Sequence, residues 1–173
     1  EVSNEFFKDA RIRKLTFTGS TDVGILLYRQ SAQTMKRVSL ELGGHAPFIV
    51  FADADIERAA DDIMACKFRN AGQTCVCTNR IYVHRSISGK LVDALATRVA
   101  ALRVGDPSKA ETQIGPLVDE QGLKKVQEHV EDAVSRGARV VVGGNALGGL
   151  YFAPTILCDV APGMRILEEE TFG

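Results

Sequence analysis

Several things are missing from this sequence, and each absence removes a class of function. Neither sign of charge is in surplus: 21 Lys and Arg stand against 22 Asp and Glu, a formal net charge of −1. With no basic block either, the electrostatic footprint of a nucleic-acid binder is absent and no such partner is expected. Long apolar runs are lacking. The longest, such as APFIVFA, fall far short of the ~20 residues that cross a bilayer, so no membrane partner is expected. There is no visible secretory leader, although the chain opens on Glu1 and not on Met. Cysteine is sparse, four in 173 residues, too thin for a disulfide-stapled scaffold, and this favours a reduced, cytoplasmic setting. Neither an internal repeat nor a low-complexity linker is found.

What is present fits a globular protein with a real core: 45% of residues are hydrophobic and 25% charged. Extended and helical patterns alternate. RIRKLTFTGS reads as a strand with Ile12, Leu15 and Phe17 apolar. TDVGILLYRQSAQ follows as a helix that Thr21 or Asp22 would cap. KRVSLELGGHAPFIVFA reads as two short strands broken at Gly43-Gly44. DADIERAADDIMACKFRNAG is a helix by the spacing of Ile56, Ala59, Ala60, Ile63 and Met64, with Asp53 or Asp55 as its cap and Gly72 as its stop.

RIYVH is a short strand, and SGKLVDALATRVAAL a helix with Leu91, Leu95, Val99 and Leu102 on one face. After the long loop VGDPSKAETQIGPLV comes the helix DEQGLKKVQEHVEDAVSRG, carrying Leu123, Val126, Val130, Ala133 and Val134. ARVVVGG and APTILCDV are strands around a Gly-rich loop. This order predicts an α/β fold with a mostly parallel twisted sheet and flanking helices. Both ends read as cut, and Gly43-Gly44 is the natural breakpoint.

Two stretches carry chemical interest. FTGSTDVG places Gly19 and Ser20 between a strand and a helix, where free N–H groups and the positive helix end suit a phosphate. It lacks a P-loop lysine and the G-x-G-x-x-G spacing, so on these residues alone an ordinary capped turn is the better reading. NAGQTCVCTN puts Cys75 and Cys77 on irregular backbone behind a Gly-Gln pair. From the residues alone this loop is a nucleophile, a pair of small buried thiols, a zinc clip or half of a Cys-His pair. C-x-C is shorter than ordinary zinc spacing, and no metal is expected. Cys66 and Cys158 read as small buried side chains. His84 and His129 read as surface residues, His129 on the polar side of its helix. By pattern alone Glu41 is a strand-edge charge and Glu168-Glu169-Glu170 a solvated acidic run.

Taken together, FTGSTDVG, LELGGHAPFIVF, FRNAGQTCVCTNR, IGPLV and EEETFG occur in an order and spacing that resembles the NAD(P)-dependent aldehyde dehydrogenase superfamily along essentially the whole chain. FRNAGQTCVC is most similar to the succinate-semialdehyde dehydrogenases. The resemblance implies residues 1–42 as the end of a Rossmann-like dinucleotide-binding domain and 43–173 as most of a catalytic domain. It also implies NAD or NADP as cofactor, a small aldehyde as substrate and a homodimeric or homotetrameric parent. It makes Cys75 the nucleophile and Glu41 the general base. Gly19, Ser20 and Leu42 go with the cofactor, Ser20 on its pyrophosphate. Glu170 goes to the nicotinamide ribose, Phe172 beside the nicotinamide, and Arg69 to the distal carboxylate of succinate semialdehyde. Cys77 is implied as a partner for Cys75 in an oxidative switch.

The expected chemistry is attack of the Cys75 thiolate on the aldehyde, oxidation of the thiohemiacetal to a thioester, and hydrolysis by a water that Glu41 activates. Burial between Leu40 and Leu42 is expected to make that carboxylate a better base. A chain lacking most of the cofactor domain is expected to be inactive alone. The competing readings are a non-catalytic structural or interaction module, and a thioester hydrolase that needs no nucleotide.

Overall fold

An extended run, a helix and a second extended run make a βαβ unit when the two strands pair in parallel, because a parallel connection has to cross back over the sheet. Residues 14–41 do this. Strand β1 (Lys14–Thr18) pairs in parallel with β2 (Arg37–Glu41), in a register running from Lys14↔Arg37 to Thr18↔Glu41. Helix α2 (Thr21–Ala32) makes the crossover, and α1 (Val2–Lys8) precedes β1. Helix α2 is capped by Ser20, whose Oγ accepts from the Val23 amide at 3.4 Å, and not by Thr21 or Asp22. Ser20 is the last residue with extended backbone, and that decides which hydroxyl can reach the free amides of the first turn. Lys36 is buried and donates to the Asp9 and Ile12 carbonyls at 2.8 and 2.7 Å, tying down the turn before β1.

A computed structural model describes residues 2–173 and divides into the units Glu1–Gly43 and Gly44–Gly173. The second unit opens with another βαβ: β3 (Ala46–Val50), α3 (Ile56–Lys67) and β4 (Thr78–Val83), with β3 and β4 parallel. Asp55 caps α3 through the Arg58 amide. Helix α4 (Ser88–Ala100) packs against α3, and Val50, Ala60, Ile63, Leu91 and Leu95 form the core between them. Each fully buried Ile or Leu here contributes about 2–3 kcal/mol. Helix α5 (Glu120–Ser135) is capped by Asp119.

Beyond α5 the strands stop pairing in parallel. β5 (Arg139–Val142) pairs antiparallel with β8 (Ile156–Cys158), and β6 (Ala146–Gly148) with β7 (Tyr151–Phe152) forms a hairpin between them. The stretch joining β5 to β8 holds a hairpin and no crossover helix, and without a crossover the chain returns antiparallel. Helix α6 (Arg165–Glu168) ends the described elements.

Helix α3 ends at Lys67, five residues before the glycine expected to stop it. Asn70, Ala71 and Gly72 then take left-handed backbone, with φ of 53, 54 and 75°. Among the described residues no helix is long and apolar enough to cross a membrane.

Candidate active site

The left-handed turn of residues 70–72 lifts the following residues off the end of α3. Asn70 and Gln73 lock it reciprocally: Asn70 Nδ2 donates to the Gln73 carbonyl at 3.1 Å, and Gln73 Nε2 to the Asn70 carbonyl at 3.3 Å. Gln73 also reaches the IGPLV loop, donating to the Pro116 carbonyl and accepting from the Val118 amide at 2.9 Å. The Cys77 amide then closes on the Thr74 carbonyl at 3.1 Å, a β-turn with Cys75 and Val76 at its centre. Both central residues are exposed, and the Cys75 thiol is free. The loop therefore presents one sulfur outward on backbone that is tied by these five hydrogen bonds.

Cys77 faces the other way. It is 1% exposed, and its Sγ donates to the Lys67 carbonyl at 3.2 Å. Burial pushes its thiol above the ordinary cysteine range, against the pull of nearby Lys67. Bonding to Cys75 would require Cys77 to leave that carbonyl and rotate outward. Cys66 and Cys158 are half-buried and not fully enclosed, and the Cys66 Sγ lies 2.9 Å from Thr78 Oγ1. Arg69, at the start of the turn, is exposed and makes no ion pair among the described residues. Among those residues no three His, Cys, Asp or Glu side chains are grouped to hold a metal ion.

Gly44 brings the acidic C-terminal run to this loop. Its amide donates to Glu170 Oε1 at 3.2 Å, and a Cβ on Gly44 would stand 2.8 Å from the Cys75 carbonyl oxygen. Only glycine allows that approach, since the obstacle is backbone and cannot swing away. Lys67 joins in from below. Its ammonium is buried and donates to Asn79 Oδ1 and to the Gly173 carbonyl, both at 2.7 Å. Burial holds it below the usual lysine range. Phe172 is 43% exposed, its ring open to a ligand.

His129 corrects the sequence reading. It is fully buried, not on the surface. At 100° per residue it lies 60° from Val126 and 40° from Ala133, inside the apolar stripe of α5. Its Nδ1 is 2.9 Å from Thr171 Oγ1, and its Nε2 is 3.2 Å from Glu169 Oε2. Val134, expected in that stripe, is 44% exposed. The run of glutamates is not simply solvated. Arg165 grips Glu169 through Nε at 2.9 Å and Nη2 at 3.3 Å, and also reaches Glu128. Arg165 and then His129 hold the Glu169 carboxyl down at about 2.

A pH dependence follows from these groups. Burial pushes His129 below 6.5, against the pull of Glu169, with Lys125 and Arg165 adding to the push. Burial, followed by Arg80, lowers His45 in the same way. Below 6.5 the unfolded chain takes up protons that these folded imidazoles refuse, so stability is expected to fall as the pH drops. It falls again from 4.5 toward about 2, where Glu169 is protonated in the unfolded chain but still ionised in the folded one. Thermal midpoints measured between about pH 7 and 3 check this; a flat profile would contradict it.

In the first unit, the Gly19 amide donates to the Glu41 carbonyl at 3.0 Å. The Gly19-Ser20 turn and Glu41 therefore sit together at the C-terminal end of the β1–β2 pair, the end where α/β sheets bind ligands. Leu42 packs over Gly24 of α2. Glu41 is exposed, and Leu40 and Leu42 on either side are only half-buried, so the expected burial of the carboxylate is not found in this unit. It is the last residue of an edge strand and has no layer over it there.

The whole chain, residues 1–173, matches the aldehyde dehydrogenase family. The chain belongs to that family. Succinate-semialdehyde dehydrogenase [NADP(+)] 1 of Schizosaccharomyces pombe is 55% identical to it over 165 residues, 94% of this chain and 33% of the relative. The 3-sulfolactaldehyde dehydrogenase of Pseudomonas putida is 52% identical over 164 residues, covering 94% and 34%. Among solved structures, an aldehyde dehydrogenase from Brucella melitensis biovar abortus 2308 superposes with a TM-score of 0.97 at 53% identity, over 100% of this chain and 36% of that one. The chain thus spans about a third of the length of the aldehyde dehydrogenases it matches. Three residues that shape its site, Gln73, Lys67 and Asn79, were not singled out from sequence, and His129 was read there as a surface residue. Only the helical spacing of His129 carried a readable signal.

Proposed function

We infer that these residues belong to an enzyme oxidising a small anionic aldehyde, succinate semialdehyde first, to its acid with NAD or NADP. The observation that carries this reading is Cys75 presented outward on a tied turn, with Glu170 bonded to the Gly44 amide beside that turn. The two relatives described above are named for aldehydes that bear a second, acidic group. Arg69, an exposed guanidinium six residues before the thiol, is the group that receives it.

The residues fit a nicotinamide nucleotide within each unit. Ser20 and the first turn of α2 offer a hydroxyl and free amides to a pyrophosphate, with Gly19 and Leu42 bordering them. Glu170 offers a carboxylate to ribose hydroxyls, and Phe172 an open ring face. When bound, the nucleotide accepts the hydride and thereby oxidises the substrate carbon. The chain's own residues do the rest. The Cys75 thiolate adds to the carbonyl carbon and later holds the acyl group as a thioester. Arg69 holds the far anion and so fixes the aldehyde end. Glu41 takes a proton from the water that attacks the thioester, which releases the acid and restores the thiol. The 173 residues assayed alone are expected to be inactive.

Arg69→Ala in a chain of the relatives' full length tests the substrate class. It is expected to lower kcat/KM for succinate semialdehyde about 100-fold while changing an uncharged aldehyde about twofold, since a bidentate charge pair is lost. Equal losses on both remove carboxylate recognition. Thioester hydrolysis that proceeds fully without nucleotide, with no aldehyde oxidation, would favour a hydrolase instead.

A further inference from the structure

Glu169 and Thr171 are two residues apart and share one partner, His129. In extended chain, alternate side chains point to the same side. Glu169 is extended, with φ −106° and ψ 145°. Glu169 and Thr171 therefore face inward onto α5. Glu170 instead reaches the Gly44 amide, and the Phe172 ring is exposed.

The inward pair is held from several directions. A carboxylate only accepts, so His129 Nε2–H donates to Glu169, and Nδ1 accepts from the Thr171 hydroxyl. Asn79 Nδ2 donates to the Thr171 carbonyl at 3.2 Å, and Lys67 holds the Asn79 oxygen. Arg165 is itself fixed to α5, its amide donating to Asp132 Oδ2 at 2.9 Å. The imidazole is the only fully buried polar side chain of α5. Packing alone would accept a leucine at that position of the stripe. A ring with both nitrogens engaged instead fixes the register of the segment, because a slip by one residue would put Glu170 or Phe172 in the place of the buried Thr171 hydroxyl.

We propose that His129 is a positioning residue: by holding Glu169 and Thr171 it aims Glu170 and Phe172 at the nicotinamide end of the nucleotide. This rests on the reading that those two residues contact the nucleotide. His129 itself touches neither substrate nor cofactor and stays a positioning residue in every step.

The test uses the full-length enzyme carrying these residues, with His129→Phe and, because that variant risks misfolding, Thr171→Val, which removes one hydroxyl in nearly the same volume. Both are expected to raise the KM for the oxidised nucleotide about tenfold, the worth of one or two buried hydrogen bonds, with aldehyde KM within about twofold. Iodoacetamide labelling of Cys75 without nucleotide should keep its wild-type rate. His129→Gln, which keeps a donor toward Glu169, should recover part of the loss. Backbone hydrogen exchange should quicken at residues 169–172 and stay unchanged in α3 and α4. Equal losses in nucleotide KM, aldehyde KM and labelling would mean a general structural role and overturn the proposal. An unchanged nucleotide KM with unchanged exchange at 169–172 would overturn it too. The functional reading fails separately, when the unmutated enzyme shows no nucleotide-dependent oxidation. The exchange measurement still reads the clamp in that case, and unchanged protection there would remove it.

Discussion

Replacing Cys75 by alanine in the full-length enzyme is expected to remove nucleotide-dependent aldehyde oxidation, a loss of at least about 10⁴-fold in kcat. Alanine has no atom that can bond to the carbonyl carbon, and the other three cysteines stand elsewhere: Cys77 is buried against the Lys67 carbonyl, while Cys66 and Cys158 are half-buried. The turn does not need the sulfur. It is closed by the Cys77 amide and tied by Gln73, so stability should change by no more than about 0.5 kcal/mol, as for most exposed substitutions. Cys66→Ala and Cys158→Ala should keep most of the activity. Steady-state production of reduced nucleotide measures all three variants. Activity retained in the Cys75 variant, or lost equally in the Cys66 variant, would move the nucleophile away from residue 75.

The Glu41→Gln variant separates the two halves of the reaction. In the proposed mechanism, attack by sulfur and oxidation to the thioester require no base at position 41, whereas hydrolysis does. Steady-state turnover should fall by about 10²–10⁴-fold, the worth of a general base. A first burst of reduced nucleotide, about one per Cys75, should survive because the acyl group then waits on sulfur. The exposed position of Glu41 means that the amide disturbs no packing. Rapid-mixing absorbance reads the burst and the slow phase together. A burst that disappears along with turnover would assign Glu41 to an earlier step. Unchanged turnover would assign the base to another residue.

Residues whose neighbours lie close in sequence were legible. The stripe Ala59, Ala60, Ile63 predicts the buried face of α3, and Leu91, Leu95, Val99 that of α4, because helical periodicity is local. The Gly-Gln-Thr-Cys stretch marks an irregular loop for the same reason. Less legible was the choice of Ser20 over Thr21 as the cap. That depends on which residue is the last to keep extended backbone, and neighbouring hydroxyls look alike in sequence. The end of α3 was misplaced because Gly72 is not the only residue that turns left-handed; Asn70 and Ala71 do so first, held by the Gln73 bonds.

By itself the sequence determined the alternation of strands and helices, the two glycine-marked turns, and the family to which Cys75 and Glu41 belong. Those features depend on backbone propensity, side-chain periodicity and motif order, all of which are written along the chain. Tertiary structure alone decided that Cys77 turns inward while Cys75 turns outward, that the Gly44 amide takes Glu170, and that a histidine 40 residues upstream holds Glu169. Each of those bonds joins residues far apart in the chain, and folding has to bring them within about 3 Å before either partner's role exists.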